Sequence, residues 1–272
     1  MARMNAAAPS RFERLRPVLS LAMNGASIVA LLIGWELLGR SGAFSRFLLP
    51  PLSLVLGRVA DDVMSGLFLT DVVQTLYRTL IGFSISAVLG IVIGVLIARI
   101  RFVNWLFDPI VSVGFPTPKI AFLPVFMLWF GVYNLSKIAL IAFNAIFPVI
   151  IATIAGTQAV EKELVWSARS LGARGREVLW EVVLPAALPQ IITGLQVALP
   201  IALVIALVTE LLMGGTGIGG TMIRAARFAD SLGVFAGIVE IAVVGWILIK
   251  GMELMRRRLL VWHAEVESVS TV

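Results

Sequence analysis

Long apolar runs separated by short polar segments dominate this chain. They cover about residues 18–39, 72–98, 103–131, 136–157, 190–213 and 234–254. Each reaches the roughly 20 residues that one helix needs to cross the hydrocarbon core of a bilayer. The pattern predicts an all-α polytopic membrane protein with six transmembrane helices. A polar tail over 1–17 precedes a single membrane domain over 18–257, and a second tail covers 258–272. The third run differs from the others, because Pro109, Pro116, Pro118 and Pro124 interrupt it. Span two carries Gly90, Gly94 and Ala98 at four-residue spacing, a stripe that lets helix backbones approach closely and supports a tight bundle.

One polar segment is too long to be a simple connection. Residues 158–188 hold Lys162, Arg169, Arg174 and Arg176 beside Glu161, Glu163, Glu177 and Glu181, so this segment sits in water. It reads as two short helices with a bend at Gly172 and a stop at Pro185, since Gly weakens a helix and Pro removes an N–H and clashes with the preceding turn. Two small helices held at a membrane surface suit the docking of a soluble partner.

Composition agrees with the membrane reading. The chain is 59% hydrophobic and 14% charged, against about 45–50% and about 25% in soluble domains. Its net charge of +6 follows from loop bias and needs no nucleic-acid partner. With the N-terminus inside, the inner segments hold Arg3, Arg11, Arg14, Arg16, Arg99, Arg101, Lys162, Arg169, Arg174, Arg176, Arg256, Arg257 and Arg258. The outer segments hold Arg40, Arg46, Arg58, Lys137, Arg224 and Arg227. Thirteen against six places both termini and the 158–188 loop in the cytoplasm. The first run is too long for a secretory signal and lacks a cleavage site, so it is a retained anchor.

Candidate chemistry narrows the function classes. Gly215-Thr216-Gly217-Ile218-Gly219-Gly220 matches a dinucleotide-loop spacing, but a membrane run precedes it where a strand is required. No phosphate-binding G-x-x-x-x-G-K-[ST] loop occurs, so ATP-driven work needs a separate subunit. The chain has no Cys, its one His is His263 in the tail, and no H-E-x-x-H is present. A metal site and a catalytic constellation are therefore both unsupported. Glu36, Lys119, Glu210 and Glu240 fall in apolar zones, where an ionisable side chain is a functional candidate by default. Lys119 follows Pro116-Thr117-Pro118, whose irregular backbone belongs beside protein or a water-filled cavity. Lys119 and Glu210 are the candidates for a translocation path, each with a structural pairing as the alternative.

The charged loop also resembles a known pattern. Permease subunits of bacterial ABC importers carry a cytoplasmic Glu-Ala-Ala, three residues, Gly, nine residues, Ile-x-Leu-Pro signature. Aligned on Gly172, this chain reads Trp166-Ser167-Ala168, Gly172, then Val182-Val183-Leu184-Pro185. Trp166 stands where the pattern is acidic. Further runs resemble the nitrate/sulfonate/taurine-type branch over about residues 30–263: Phe47-Leu48-Leu49-Pro50-Pro51, Thr75 through Phe83, Asp108-Pro109, Leu123-Pro124, Leu128-Trp129-Phe130-Gly131, Phe147-Pro148, Glu210 with Gly217-Ile218-Gly219, and Arg256-Arg257-Arg258 with Trp262. The resemblance implies a type I importer permease in the bacterial inner membrane. It would pair with a second permease copy, with two ATP-binding subunits that carry ATP and Mg, and with a periplasmic or lipid-anchored substrate-binding protein. It assigns Trp166, Ser167, Ala168, Arg169, Leu171, Gly172, Ala173 and Pro185 to ATPase coupling, and binds no cofactor on this chain. Branch members are linked with nitrate, sulfonates, taurine, bicarbonate, aromatic carboxylates and pyrimidine vitamin precursors, moved by alternating access. A secondary carrier or channel would explain the spans but leave the docking loop without purpose.

Overall fold

The computed structural model describes residues 11–262, with side-chain surroundings from residue 26 onward. Among the described residues there is no strand. The helices are α1 (Arg11–Arg40), α2 (Leu52–Met64), α3 (Leu67–Arg99), α4 (Arg101–Gly114), α5 (Leu123–Phe130), α6 (Asn134–Gln158), α7 (Lys162–Ser170), α8 (Gly175–Glu177), α9 (Leu184–Met213), α10 (Ile218–Arg227) and α11 (Ser231–Leu259). A 3₁₀ turn over Lys119–Phe122 precedes α5, and a π-helical segment over Val178–Val183 links α8 to α9. The first expected span and both tails lie partly outside the described side chains, and His263 lies outside the described residues.

Four stretches are long and apolar enough to cross a bilayer: α3, α6, the 175–227 stretch built around α9, and α11. Their core is set by glycine. A Cβ on Gly82 would stand 2.6 Å from Ile141, one on Gly90 2.8 Å from Val149, and one on Gly94 2.6 Å from Thr153. With buried Ser86 between them, these positions form one small-residue face of α3, recurring every fourth residue or multiple of it. The stripe is thus intramolecular, and α6 lies directly against it. Paired positions rise together along both chains, so α3 and α6 run parallel. Gly156 of α6 instead meets Gln190, and Gly194 of α9 meets Ala152, so α9 runs antiparallel to α6. Ile141, Ala145, Val149, Ala198, Ala202 and Ala206 fill the seam between them. α11 turns back again, with Gly245 near Leu203 and Arg256 near Gln196.

The parallel pairing decides what the proline-rich zone does. α3 ends at Arg99, yet α6 begins beside the start of α3, where Asn134 accepts a hydrogen bond from Arg78 (2.8 Å). Residues 100–133 must therefore return across the whole bundle. They do so as a broken span: α4 and the Lys119–Phe130 helix are bent by 97° at the Pro116–Pro118 break. Pro109 and Pro124 do not break anything. Pro109 lies inside α4, and Pro124 sits in the first turn of α5, where a missing N–H is harmless.

Two helices were not foreseen. α2 and α10 are short and polar on one face, and they cover the end of the bundle where α3, α6 and α11 begin. Arg58 of α2 pairs with Asp62 (3.1 Å) and with Asp230 (3.2 Å), the residue that caps α11 through Gly233 N–H (2.9 Å). The end of α1 reaches the same level, with Trp35 donating to Pro50 O (3.0 Å) and its ring against Phe235.

Candidate functional site

The 158–188 loop projects from the end opposite α2 and α10. α7 ends in a Schellman motif: Ala173 N–H donates to Ala168 O and Gly172 N–H to Arg169 O, both at 3.0 Å. Gly172 has φ +93°, in the left-handed region where a side chain is strained, and a Cβ there would meet nothing within 4 Å. The glycine is thus required by its backbone and not by crowding. Glu177 fixes the exit of the turn by accepting from Arg174 N–H (2.6 Å). Buried Val178 and Val183 anchor the return segment against α7.

The tip presents apolar surface. Leu171 is 87% exposed and Trp166 58%, large side chains that the described residues leave mostly open. Ser167 and Arg169 are exposed, while Ala168 and Ala173 are half-buried under the turn. The sequence expectation needs one correction here. Pro185 does not stop a helix; it lies in the first turn of α9, and the π-helical segment before it carries the helix through without a break. The wider π turn shifts the preceding carbonyls away from the proline ring and so relieves the clash that would break an α-helix.

The opposite end holds a buried polar cluster. Glu210 is 0% and Arg78 2% exposed, and they form an ion pair at 2.5 Å. Thr75 Oγ1 (2.9 Å) and Gly219 N–H (3.1 Å) also donate to Glu210. Arg78 also donates to Thr216 O (2.7 Å) and Thr216 Oγ1 (2.8 Å). Lys137 donates to Gly214 O (2.7 Å), Gly217 N–H donates to Asp71 (2.9 Å), and Thr221 Oγ1 donates to Asp71. Together these bonds clamp the 214–220 loop onto α3 and α6. Gly217 has φ +106°, and a Cβ there would collide with the Glu210 carboxylate. Glu210 is therefore inside a closed network and not on an open surface. Among the intramembrane charges that the sequence marks as candidates, only Glu210 belongs to the clamp. Arg78, an arginine inside an apolar run, carried the same signal and was the charge that Glu210 needed.

Lys119 lies in the break of the third span. Its Nζ donates to Phe115 O (2.8 Å) and Thr117 O (3.4 Å), carbonyls left open where α4 ends, and sits 4.6 Å from the centre of the Phe147 ring. It also lines a cavity of about 420 Å³ with Thr117, Phe122 and Phe143. Lys119 and Glu210 are not brought together: one faces a cavity, the other is sealed in the clamp.

A family profile described as binding-protein-dependent transport system inner membrane component matches residues 90–261, well over half of the chain. The chain belongs to that family. A Bacillus subtilis (strain 168) protein named for aliphatic sulfonates transport, SsuC, is 35% identical over 90% of this chain and 89% of its own length. The taurine transport system permease protein TauC of Escherichia coli (strain K12) is 31% identical over 89% and 90%. The fold matches that of a chain of the MetNI methionine ABC transporter in an inward-facing conformation, with a TM-score of 0.62 and 18% identity over 73% of this chain and 98% of that one. This chain is accordingly an ABC transporter permease of the importer fold, embedded in the membrane by several passes. The family match spans the α7 turn, the clamp loop and the broken third span alike.

Proposed function

We infer that this chain is the membrane half of an ATP-driven importer, coupled to its ATPase through the α7–Gly172 turn. One observation carries the reading: a rigidly capped, solvent-facing turn between two spans presents Trp166 and Leu171, which the described residues leave mostly uncovered. Exposed aromatic and aliphatic anchors of this kind dominate docking energies when buried by a partner. Two ATP-binding subunits, carrying ATP and Mg, would each receive one such turn from a pair of permease copies. The excess of Lys and Arg at this end supports a cytoplasmic position for it and for both termini at the inner membrane. A periplasmic or lipid-anchored binding protein would meet the opposite, clamped end. ATP hydrolysis belongs to the partner, and this chain would act by alternating access.

The relatives named for aliphatic sulfonates and taurine suggest a small organic anion as the solute. Lys119, with its charge against a cavity of about 420 Å³, is the residue suited to meet it. Glu210 serves instead to hold the 214–220 loop. The test is reconstitution into vesicles: uptake of taurine or an alkanesulfonate should require the ATPase, the binding protein and ATP together. Uptake by this chain alone would identify a secondary carrier and end the reading.

A further inference from the structure

Where α3 and α6 end beside α7, a second cavity of about 300 Å³ opens. Arg99 of α3 and Lys162 of α7 line it, with Thr157, Gln158, Val165 and Trp166. Neither cation has a hydrogen bond or an ion pair among the described residues. Thr157 is 4% exposed, and its Oγ1 has no hydrogen-bond partner. Thr157 thus adds an unpaired hydroxyl beside the cavity, although the hydroxyl itself is closed off from it.

The charge arrangement is equally incomplete. Two like charges from different helices converge on one space, and no carboxylate lines it. Glu161 and Glu163 flank Lys162 in sequence yet stand outside the lining. The position one turn on, where a helix would offer Lys162 an acidic partner, is Trp166. The space is therefore electropositive and suited to an anionic group rich in acceptors, and its volume lies at the small end of ligand sites.

We propose that this cavity binds a phosphate group, held by Arg99 and Lys162, that ties the coupling helix α7 to the ends of α3 and α6. Phosphate oxygens suit such charged hydrogen bonds. The cavity lies where α3 and α6 end, the depth of lipid headgroups. An anionic phospholipid is accordingly the source, since basic pockets between helices on the cytoplasmic side take such headgroups. Its leaflet rests on the cytoplasmic assignment of the 158–188 loop given above.

The test uses the purified full chain without any ATPase, so its failure is separate from a failure of docking. Native mass spectrometry would compare retention of phosphatidylglycerol with that of phosphatidylcholine, with and without millimolar inorganic phosphate. The wild type should prefer phosphatidylglycerol by about tenfold or more, as expected for charged hydrogen bonds. The paired change Arg99→Gln and Lys162→Gln should abolish the preference, and Arg99→Lys with Lys162→Arg should retain it. Saturable binding of inorganic phosphate, lost in the Gln pair but with no lipid preference, would keep the phosphate site and assign it a soluble source. No preference in the wild type and no phosphate binding would overturn the proposal, whether or not the Gln pair folds.

Discussion

The surroundings of the 214–220 clamp and those of the 158–188 loop treat charge in opposite ways. At the clamped end, Arg58, Arg78, Lys137 and Arg224 each have a carboxylate or carbonyl partner. At the loop end, Arg99, Arg101, Lys162, Arg169 and Arg176 have none among the described residues. The difference separates a region finished within one chain from a region built for something outside it. Buried charges require internal partners or the fold fails. Exposed charges in water do not, and they remain available for a docking surface or a headgroup.

The comparison can be broken most forcefully at the clamp. Glu210→Gln removes one charge of a buried pair and leaves Arg78 uncompensated, which should destabilise the protein by about 3–5 kcal/mol. Thermal unfolding of the purified chain in detergent reads it, and an unchanged midpoint would mean the pair contributes nothing to the fold. Truncation at the loop end should leave that midpoint alone. Trp166→Ala should weaken ATPase association by about 2 kcal/mol or more, the range of interface anchors, with Trp166→Phe intermediate in co-purification. Wild-type recovery of the ATPase with the alanine variant would remove Trp166 from the interface. Gly172→Leu introduces a side chain in the left-handed region, a local strain of about 1–2 kcal/mol. It should uncouple substrate-stimulated hydrolysis from uptake without changing membrane insertion, and intact coupling would show that the turn's geometry is not needed. The smallest effect belongs to Lys119→Met, which should lower uptake of an anionic solute while leaving basal hydrolysis intact. Unchanged transport kinetics would leave Lys119 only its bonds to Phe115 and Thr117.

Much of the architecture was visible in the sequence because hydrophobic length fixes it. α6, α9 and α11 lie close to the expected runs, and the bend at Gly172 falls where a left-handed glycine ends α7. Two kinds of feature were not visible. Short helices such as α2 and α10 have one polar face and resemble loops by composition, so a count of apolar runs misses them. The clamp depends on contacts between residues far apart in sequence, 132 positions in the case of Arg78 and Glu210. Only the rarity of charge inside a span hinted at them, and that signal names the members without pairing them. Pro185 shows the third limit. Its effect depends on the geometry of the turn before it, which here is π-helical.

Site-specific cross-linking tests the coupling turn most directly. The chain has no cysteine, so Leu171→Cys places a single thiol at the most exposed point of the turn. In the reconstituted transporter, a short bifunctional reagent should join residue 171 to the ATPase subunit, with a yield that changes when ATP is added. Cross-links from residue 171 to lipid or to a second copy of this chain, with none to the ATPase in either state, would contradict the account.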